Sequence, residues 1–406
     1  MTAFALLGWG LTLIRFVTGF PTTVFVLTRT LRKVAAAKPR LADPPRLAVV
    51  VPARDEGANV TATLESLLAS DYPRLEVIAV DDRSQDDTGA RMRAVADADG
   101  SGRLRVMTIG SLPDGWLGKC HACEVAQQTT DAEWILFTDG DATYAPDGLS
   151  RAMRVAVGDG LDLLTLIPRT RFGGLLEATL LGGFGLTMLG VGRAWQMRFA
   201  WSKAAVGAGP FLLVRAATYR ASGSHEGIKL SVVEDVDLAG QMKAYGGKTD
   251  VLLVGRDEDV AFRWQPSAWG VVTGLTKNAF AAAGYSWPRL IVGTTLLSLA
   301  QLFPYVAVFW SETPLLSGWF VSIVLGHVFF AVVAWSMALP PAVIPFLPVA
   351  LLGILLAFFR SAAVTTRQGG VRWRETFYDL ATLRTATSAY NARLSEMRAV
   401  RVKPER

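Results

Sequence analysis

Short apolar runs alternate with stretches of helical periodicity between residues 47 and 167, a pattern typical of βα units. Such units build a mostly parallel sheet whose faces are covered by helices. The predicted strands are 47–51, 75–80, 104–109, 134–138 and 161–167, and the predicted helices are 57–70, 86–98, 118–129 and 147–157. The pattern therefore predicts an α/β domain.

One more strand and one more helix are predicted beyond this region. Gly207-Ala208-Gly209-Pro210 is a turn signal in front of an apolar run that ends at Arg215. A helix is predicted to begin near Val232 and to stop at Gly246-Gly247.

Long apolar stretches near both ends of the chain predict membrane helices. Residues 4–28 are apolar apart from Arg15 and are followed by basic residues, as in a signal anchor whose amino end lies outside. An unpaired Arg15 near the middle of a span would cost about 3 kcal/mol, so it should face another helix or a lipid phosphate. Further spans are predicted near 290–310, 316–338 and 341–359.

Composition agrees with a membrane protein that has a cytoplasm-facing part. Of 406 residues, 51% are hydrophobic and 19% are charged. The net charge of +6 comes largely from arginines that flank apolar stretches, which favours membrane orientation and argues against nucleic acid as a partner. Cys120 and Cys123 cannot form a disulfide framework. Their C-x-x-C spacing could indicate a redox pair, but the thioredoxin-like context is missing.

Carboxylates collect where predicted strands end. The strand at 134–138 runs into Asp139-Gly140-Asp141. The first two strands are followed by further polar clusters, which contain Pro52, Glu56, Asp81 and Asp82. The carboxyl ends of parallel strands share one sheet edge, where ligands bind, and a hard cation carrying phosphate oxygens takes one or two carboxylates. Asp139 and Asp141 are therefore candidate metal ligands; the alternative is an Asp-Gly turn that closes the strand.

Two other charged features suggest substrate chemistry. Lys119 opens the helix before the carboxylate strand, where backbone N–H groups and an ammonium could meet a diphosphate; alternatively it is a solvated loop residue. Glu234 and Asp235 lie at the start of a later helix, where the positive end of the helix dipole stabilises acidic side chains. A carboxylate that takes a proton from an attacking hydroxyl also explains this second cluster. Motifs for dinucleotides and phosphate loops are absent from the sequence.

The membrane topology is left open by the sequence. Residues 173–192 are long and apolar enough to span, but a crossing would put the two acidic clusters on opposite sides. They are predicted to lie in the membrane interface or to line a lipid-acceptor groove. The basic tail after Arg360 favours a cytoplasmic carboxyl end. An outside amino end with four spans contradicts this, so one apolar stretch does not cross or the amino end is inside.

The motifs, in this order, resemble the family 2 glycosyltransferases of the GT-A fold, particularly the membrane-bound subgroup that includes hopanoid-associated and carotenoid-type glycosyltransferases. The resemblance covers roughly residues 45–285. The motifs are Val51-Pro52-Ala53-Arg54-Asp55-Glu56, Asp81-Asp82-Arg83-Ser84 with Asp86 and Thr88, Gly118-Lys119, Asp139-Gly140-Asp141 and Glu234-Asp235. The resemblance implies a Rossmann-like GT-A catalytic domain with a mostly parallel sheet and flanking transmembrane helices.

The resemblance also implies roles for these residues. The donor would be held by Pro52, Glu56, Asp81, Asp82, Lys119 and Asp139. Asp139 and Asp141 would hold Mg²⁺ or Mn²⁺, and Asp235, beside Glu234, would be the general base. Processive synthases of this family carry Q-x-x-R-W, whereas here Arg263-Trp264 precedes Gln265, which favours transfer of a single sugar.

Together these features predict a multi-pass inverting glycosyltransferase of the cell membrane, with its catalytic domain facing the cytoplasm. It would move one sugar from a nucleotide-diphosphate sugar, expected to be a UDP-sugar, to a hydroxyl or carboxyl of a lipid acceptor. The predicted domains are a signal anchor at 1–31, the catalytic domain at 45–285, membrane helices at 290–360 and a basic cytoplasmic tail at 361–406. The alternatives are a catalytically silent nucleotide-sugar-binding component, a processive polysaccharide synthase and a nucleotidyltransferase.

Overall fold

The computed structural model describes residues 2–373 and 376–402. Three basic residues of the predicted tail, Arg374, Lys403 and Arg406, lie outside these ranges. The described residues form two compact units that interleave along the chain. The sheet unit comprises residues 29–171, 196–263 and 385–402, and the helical unit comprises 2–28, 172–195, 264–373 and 376–384. The domain boundaries given above stay predictions.

A seven-stranded sheet forms the centre of the sheet unit. The strands of the protein are β1 (Leu47–Ala53), β2 (Leu75–Asp82), β3 (Leu104–Ile109), β4 (Trp134–Phe137), β5 (Thr143–Tyr144), β6 (Leu163–Ile167), β7 (Arg169–Thr170), β8 (Leu212–Arg215), β9 (Thr249–Leu253), β10 (Val260–Phe262), β11 (Gly370–Trp373) and β12 (Thr376–Asp379). The sheet order is β3-β2-β1-β4-β8-β6-β9, with only β8 antiparallel to its neighbours. The five strands predicted first, and the later strand near Arg215, are confirmed.

Strand register brings the polar strand ends to one edge. Val50 of β1 pairs with Phe137 of β4, and Ala53 pairs with Asp81 of β2. All seven residues of β1 are buried, as expected for a parallel strand with both faces covered. Because β8 runs antiparallel to β4, its first residue, Leu212, lies opposite Phe137. The loop before β8 therefore reaches the same edge as the carboxylates after β4.

Helices complete both units. They are α1 (Ala3–Thr28), α2 (Leu31–Ala36), α3 (Val60–Leu68), α4 (Thr88–Ala98), α5 (Gly118–Gln127), α6 (Gly148–Gly158), α7 (Leu175–Leu186), α8 (Ala216–Ala221), α9 (Glu234–Tyr245), α10 (Ala268–Gly274), α11 (Ala279–Ala282), α12 (Trp287–Gln301), α13 (Phe303–Ala307), α14 (Gly318–Ser336), α15 (Leu347–Gln368) and α16 (Leu380–Val402). α3 to α6 confirm the four predicted helices. α9 ends as predicted, at Gly246, whose φ of 121° lies in the region that favours glycine.

The carboxyl-terminal helix α16 packs on α9 within the sheet unit. The hydroxyl of Tyr390 donates to the carbonyl oxygen of Asp237 at 2.7 Å. One turn further along, Arg393 bonds the side-chain oxygen of Gln241. Most of α16 thus belongs to the same unit as the sheet, although more than a hundred residues separate it from α9.

The helical unit is built from apolar helices that pack through small residues. α1 meets α14 where a Cβ on Gly318 would lie 2.4 Å from the backbone nitrogen of Trp9. α7 meets α15 where a Cβ on Gly183 would lie 2.9 Å from Cβ of Ala350. Such close approaches are typical of membrane helix pairs.

Arg15 of α1 is buried and faces other helices, which was one of the two predicted options. Its guanidinium bonds the carbonyl oxygens of Ser322 and, at 2.5 Å, Ala300, together with the side-chain oxygen of Gln301 at 2.9 Å. Ala300 is near the end of α12, where a helix leaves carbonyl oxygens without partners in its own backbone. Arg15 therefore provides a hydrogen-bond partner for the Ala300 carbonyl group, which an apolar surrounding would leave unpaired.

Within the described residues, four helical segments are long and apolar enough to cross a membrane. They are Ala3–Thr28, Leu175–Gln196, Gly318–Ser336 and Pro341–Gln368. A further candidate is the pair Trp287–Gln301 and Phe303–Trp310, which is bent by 42°. The last segment continues through Arg360, so the helix extends beyond the predicted end of that span at 359.

Candidate active site

Asp139 and Asp141 lie directly after β4, at the carboxyl edge of the sheet. A Cβ on Gly140 would lie 3.1 Å from Cβ of Ala53, so glycine lets this loop lie against the end of β1. The hydroxyl of Thr63 holds the loop by donating to the carbonyl oxygen of Gly140 at 2.9 Å. The Asp-Gly-Asp segment is therefore held in place by a hydrogen bond to its backbone and by contact with the end of β1.

Asp141 has the properties of a cation ligand. Its Oδ1 is buried and has no hydrogen-bond partner among the described residues. Burial, followed by the neighbouring carboxylates Asp139 and Glu56, raises the pKa of Asp141. A buried, unpartnered carboxylate oxygen beside other carboxylates fits a hard divalent cation. No group of three or more His, Cys, Asp or Glu in the described chain forms a metal cluster, so phosphate or water would have to complete the coordination shell.

Lys119 joins the two acidic motifs into one site. Its Nζ lies 2.5 Å from Oδ1 of Asp139 and 2.6 Å from Oε1 of Glu234. Burial alone would lower the pKa of Lys119, but Asp139 and Glu234 outweigh it and raise that pKa well above its usual value. Lys119 is therefore a bridging cation in the first turn of α5 rather than a solvated loop residue.

The acid pair opens α9 on the other side of Lys119. Glu234 is buried, and Oδ1 of Asp235 accepts the backbone N–H of Val236 at 2.8 Å. Burial and Glu234 raise the pKa of Asp235 to about 6, while Lys119 opposes the rise. A carboxyl group with a pKa near neutrality suits proton transfer. Asp237 fits the helix-start interpretation better, because it accepts the hydroxyl of Ser231 at 2.6 Å.

Asp82 lies beside the start of α5. Arg83 holds its carboxylate through two contacts, Nε to Oδ1 at 2.7 Å and Nη2 to Oδ2 at 3.0 Å. A Cβ on Gly118 would lie 2.4 Å from Oδ2 of Asp82, so only glycine permits this approach without displacement. Asp82 therefore stands next to the turn that carries Lys119.

The other predicted donor residues lie at the same edge in local hydrogen-bond networks. Pro52 is buried in β1, and Asp81 accepts the backbone N–H of Ser84 at 3.2 Å. The side chain of Glu56 accepts Nδ2 of Asn59 at 3.1 Å. The structure thus brings Glu56, Asp139 and Asp141 into electrostatic contact, whereas Asp81 is engaged by its own loop.

Two glycines that the sequence analysis identified only as part of a turn belong to the site. A Cβ on Gly209 would lie 2.5 Å from Oδ2 of Asp139 and 3.1 Å from Nζ of Lys119. A Cβ on Gly207 would lie 2.1 Å from the backbone carbonyl of Asp235. The spacing Gly-Ala-Gly before Pro210 is the sequence signal for such close backbone approach, but it does not name what is approached.

Two buried hydroxyl groups, those of Thr138 and Tyr144, hold the loop that contains these glycines. Oγ1 of Thr138 donates to the carbonyl oxygen of Pro210 at 2.9 Å. The hydroxyl of Tyr144 lies 2.6 Å from Thr138 Oγ1. The residue before Asp139 thus fixes the loop that covers Asp139.

The cysteines and the buried histidine are structural. Cys120 and Cys123 are free and buried in α5, and burial raises the pKa of both thiols above the ordinary value. A redox pair would need a lowered thiol pKa and exposure, so that interpretation is wrong. His225 is buried with Nδ1 2.7 Å from the Tyr219 hydroxyl, and burial lowers its pKa to about 3.

Known proteins are similar to the part of the chain that contains most of this site. Residues 48–219 match the family model described as glycosyl transferase family 2. The search of curated proteins finds no significant match.

Solved structures give distant likenesses. The mannosyltransferase PcManGT from Pyrobaculum calidifontis, in complex with GDP-Man and Mn²⁺, has a TM-score of 0.49 and 16% identity, covering 90% of this chain and 99% of that chain. S. aureus TarS 1–349 in complex with UDP-GlcNAc has a TM-score of 0.39 and 15% identity, covering 82% of this chain and 96% of that chain.

Proposed function

Residues 48–219 are a family 2 glycosyltransferase domain of the GT-A fold, and on this premise we propose that the protein is a membrane-bound inverting glycosyltransferase. It transfers a single sugar from a nucleotide-diphosphate sugar to a hydroxyl or carboxyl of a lipid acceptor. One observation carries the proposal: Lys119 bridges Asp139 and Glu234, which places the Asp-Gly-Asp motif and the Glu-Asp pair in one site.

The donor half of the site consists of Asp139, Asp141 and Lys119. The two carboxylates are the residues that would hold Mg²⁺ or Mn²⁺, as the unpartnered oxygen of Asp141 supports. Such a cation, when bound, neutralises charge on the departing nucleoside diphosphate. Lys119 orients Asp139 through its 2.5 Å contact and adds a positive charge on the same side. Asp82 and Glu56, at the same edge, are proposed to contact the nucleoside.

The acceptor half is the acid pair. Asp235 accepts the proton of the acceptor hydroxyl while the acceptor oxygen bonds to the anomeric carbon. The bond between that carbon and the phosphate oxygen breaks, and the electron pair leaves with the diphosphate. A single displacement from the face opposite the leaving group inverts the anomeric configuration. Glu234, held at 2.6 Å by Lys119, keeps the helix start in place beside the donor.

Sheet pairing supports placing residues 173–192 in the membrane interface. β4 precedes α7 and β8 follows it, yet the two strands pair directly. The chain must therefore begin and end the segment around α7 on the same side of the bilayer. A single crossing by that segment would separate paired strands.

The packing of α16 supports a second parity argument. Residues 196–263 and α16 belong to one unit, so the chain between them crosses the membrane an even number of times. Three candidate spans lie in that stretch: the bent pair, α14 and Pro341–Gln368. We assign the bent pair and α14 as crossings and Pro341–Gln368 as re-entrant. The reason is that α14 begins beside the start of α1: a Cβ on Gly318 would lie 2.4 Å from the backbone nitrogen of Trp9, and the Trp310 ring lies 6.4 Å from the Phe4 ring. With α1 outside to inside, the sheet unit and the basic tail then both face the cytoplasm, which agrees with the basic flanks.

Transfer activity tests the proposal. Purified full-length protein in detergent is incubated with radiolabelled UDP- and GDP-sugars, membrane lipids and Mg²⁺ or Mn²⁺. We expect a labelled lipid with inverted anomeric configuration. The absence of both lipid-linked product and donor hydrolysis with every common donor would contradict it.

The product distinguishes the alternatives. A nucleotidyltransferase leaves a nucleotide phosphate on its product, and a processive synthase makes a ladder of oligosaccharides rather than one addition. A silent binding component takes up the donor without turnover.

A further inference from the structure

An exposed aromatic tip lies in the sheet unit directly after the α7 segment. We call residues 197–203 the aromatic loop. Trp201 is 69% exposed and Phe199 38% exposed, and their rings stack with centroids 5.6 Å apart. The guanidinium of Arg198 lies 5.9 Å from the Phe199 ring centroid, and Lys203, two positions after Trp201, is exposed. Paired aromatic rings between cations are typical of the interface between membrane and water.

The base of the aromatic loop is held rigidly. Nζ of Lys243, a buried lysine of α9, donates to the carbonyl oxygens of Met197 at 2.6 Å and Ala204 at 2.7 Å. The hydroxyl of Ser202 donates to Oε1 of Gln196 at 2.9 Å. Burying an ammonium is costly unless carbonyl oxygens replace its water. The buried lysine therefore holds the two ends of this loop in place. The rings of Phe199 and Trp201 are exposed on a loop that is held at its base.

Two chain connections link the aromatic loop to apolar helices. Trp201 lies five positions after Gln196, the last residue of the candidate span Leu175–Gln196, and five extended residues cover at most about 17 Å. Arg29 directly follows the last residue of α1 and bonds the carboxylate of Asp250. Burial raises the pKa of Asp250, and both Arg29 and Arg198 oppose that rise. Arg198 thus lies near the point where the first apolar helix ends.

The other end of the loop leads to the acid pair. The chain runs from Ala204, under Lys243, to Gly207, which touches the backbone of Asp235. Both contacts are made with α9, whose rise of about 1.5 Å per residue puts Lys243 and Asp235 about 12 Å apart along the axis. The aromatic loop and the proposed base are therefore mounted on one helix.

We propose that the aromatic loop is a membrane-contacting element that inserts Phe199 and Trp201 into the headgroup region of an anionic bilayer, with Arg198 and Lys203 at the phosphates. The inference rests on the membrane embedding proposed above. Lipid is the occupant because aromatic rings prefer the interface and cations are attracted to anionic headgroups. Since the loop and Asp235 share α9, this contact sets the height of the base above the bilayer surface.

A spin label on the loop tests this placement. The two cysteines of the chain are buried, so Ala200→Cys in the full-length protein is labelled selectively with a nitroxide. Gly100→Cys is the matched control, because Gly100 is exposed and a Cβ there meets no atom within 4 Å. Both proteins are reconstituted in nanodiscs of phosphatidylcholine alone or mixed with phosphatidylglycerol. Collisions of the label with apolar O₂ and with a polar nickel chelate are measured by electron paramagnetic resonance.

We expect the label at position 200 to show high O₂ and low nickel accessibility, corresponding to a depth of about 5–10 Å. The double substitution Phe199→Ala and Trp201→Ala should return it to the values of the control. Insertion should be deeper with phosphatidylglycerol present. Nickel accessibility equal to that of the control would overturn the proposal. Shielding from both reagents would overturn it too, because it indicates a protein partner, including a second copy.

This measurement does not depend on turnover. A label in the bilayer without any sugar transfer would leave the inference standing and contradict the proposed function. Sugar transfer by a protein whose loop is in water would do the reverse. The thermal unfolding of the aromatic double variant is compared with that of the unsubstituted protein, and an unchanged midpoint ensures that lost insertion is not lost folding.

Discussion

At the scale of single residues, the site is one lysine ammonium between two pairs of carboxylates. Asp141, Asp139, Lys119 and Glu234 follow one another, and Asp235 stands beside the last of them. One ammonium faces two carboxylates, so the donor half retains negative charge around the unpartnered oxygen of Asp141. That excess is where a cation would be attracted.

Substitutions in the two acidic motifs are expected to affect different steps, donor binding in one and sugar transfer in the other. Asp141→Ala should weaken metal-dependent donor binding, because the diphosphate loses its counter-ion. Asp235→Asn keeps the shape and removes the proton acceptor, so donor and metal should still bind while transfer falls about 10²–10⁴-fold. Calorimetry of sugar-nucleotide binding to both variants separates these effects. If Asp235→Asn abolished donor binding as fully as Asp141→Ala, Asp235 would belong to the donor site.

The pH dependence of transfer should report Asp235. Burial and Glu234 raise its pKa to about 6, and only the ionised form accepts a proton. Activity should therefore rise with pH through about 6 and fall about tenfold per unit below it. The profile of kcat between pH 5 and 8 checks this. The residual activity of Asp235→Asn should lack the acidic limb; a limb that persists there assigns the titration to another group.

Gly209 should be intolerant of a single methyl group. In Gly209→Ala the new Cβ would lie 2.5 Å from Oδ2 of Asp139, so the carboxylate or the loop must move. We expect weaker donor binding with little loss of stability. Gly100→Ala, where the Cβ meets nothing within 4 Å, is the control. Donor affinity measured by calorimetry decides, and equal affinities in both variants would show that the loop does not position Asp139.

At the scale of elements, α9 connects most of the features described. Its first turn carries the acid pair, Lys243 near its end holds the aromatic loop, and α16 packs along it. A helix with partners on several sides holds its side chains with little freedom. Proton transfer needs such fixed placement of the base.

Tyr390 of α16 should help to hold α9 in place. Tyr390→Phe removes the 2.7 Å hydrogen bond to the carbonyl oxygen of Asp237 and should cost about 0.5–1.5 kcal/mol of stability. Ser395→Ala is the control on the same helix, since within the described residues that hydroxyl bonds only the backbone carbonyl of Asn391. The temperature of half-inactivation in detergent should fall for the first variant and not for the second. Equal temperatures would mean that α16 does not support α9.

At the scale of the whole molecule, the chain leaves the sheet unit and returns to it twice. Each return restricts the number of membrane crossings to an even value. This restriction follows from strand pairing and helix packing and does not depend on how apolar each helix is. In the proposed topology it reconciles an outside amino end with a basic cytoplasmic tail, because one of the four predicted spans does not cross.

Accessibility of introduced cysteines should show three crossings. Thr2→Cys and Leu315→Cys, in the loop before α14, are expected to react with a membrane-impermeant maleimide on intact cells. Ala342→Cys, in the chain after α14, and Ser395→Cys should react only after permeabilisation. The unsubstituted protein, whose two cysteines are buried, gives the background. Reaction of Ser395→Cys on intact cells would place the tail outside. Because α16 packs on α9, it would contradict the proposed cytoplasmic orientation of the sheet unit.

The sequence by itself determined the sheet and the position of its carboxylates. Hydrophobic periodicity is local, and parallel strands share an edge, so Asp139 and Asp141 could be assigned to that edge from β4 alone. Motif order was enough to indicate the family whose model matches residues 48–219. The role of each residue named from the family remains a prediction.

Only the tertiary structure decided which distant groups meet. Lys119 could have faced solvent or phosphate, and its contacts with Asp139 and Glu234 depend on how α5, β4 and α9 pack. The neighbours of Gly209 and the carbonyl partners of Arg15 are likewise far away in the chain. Periodicity and propensity describe the few residues around a position, whereas these contacts arise from the packing of whole elements. Such contacts therefore could not be deduced from the local pattern.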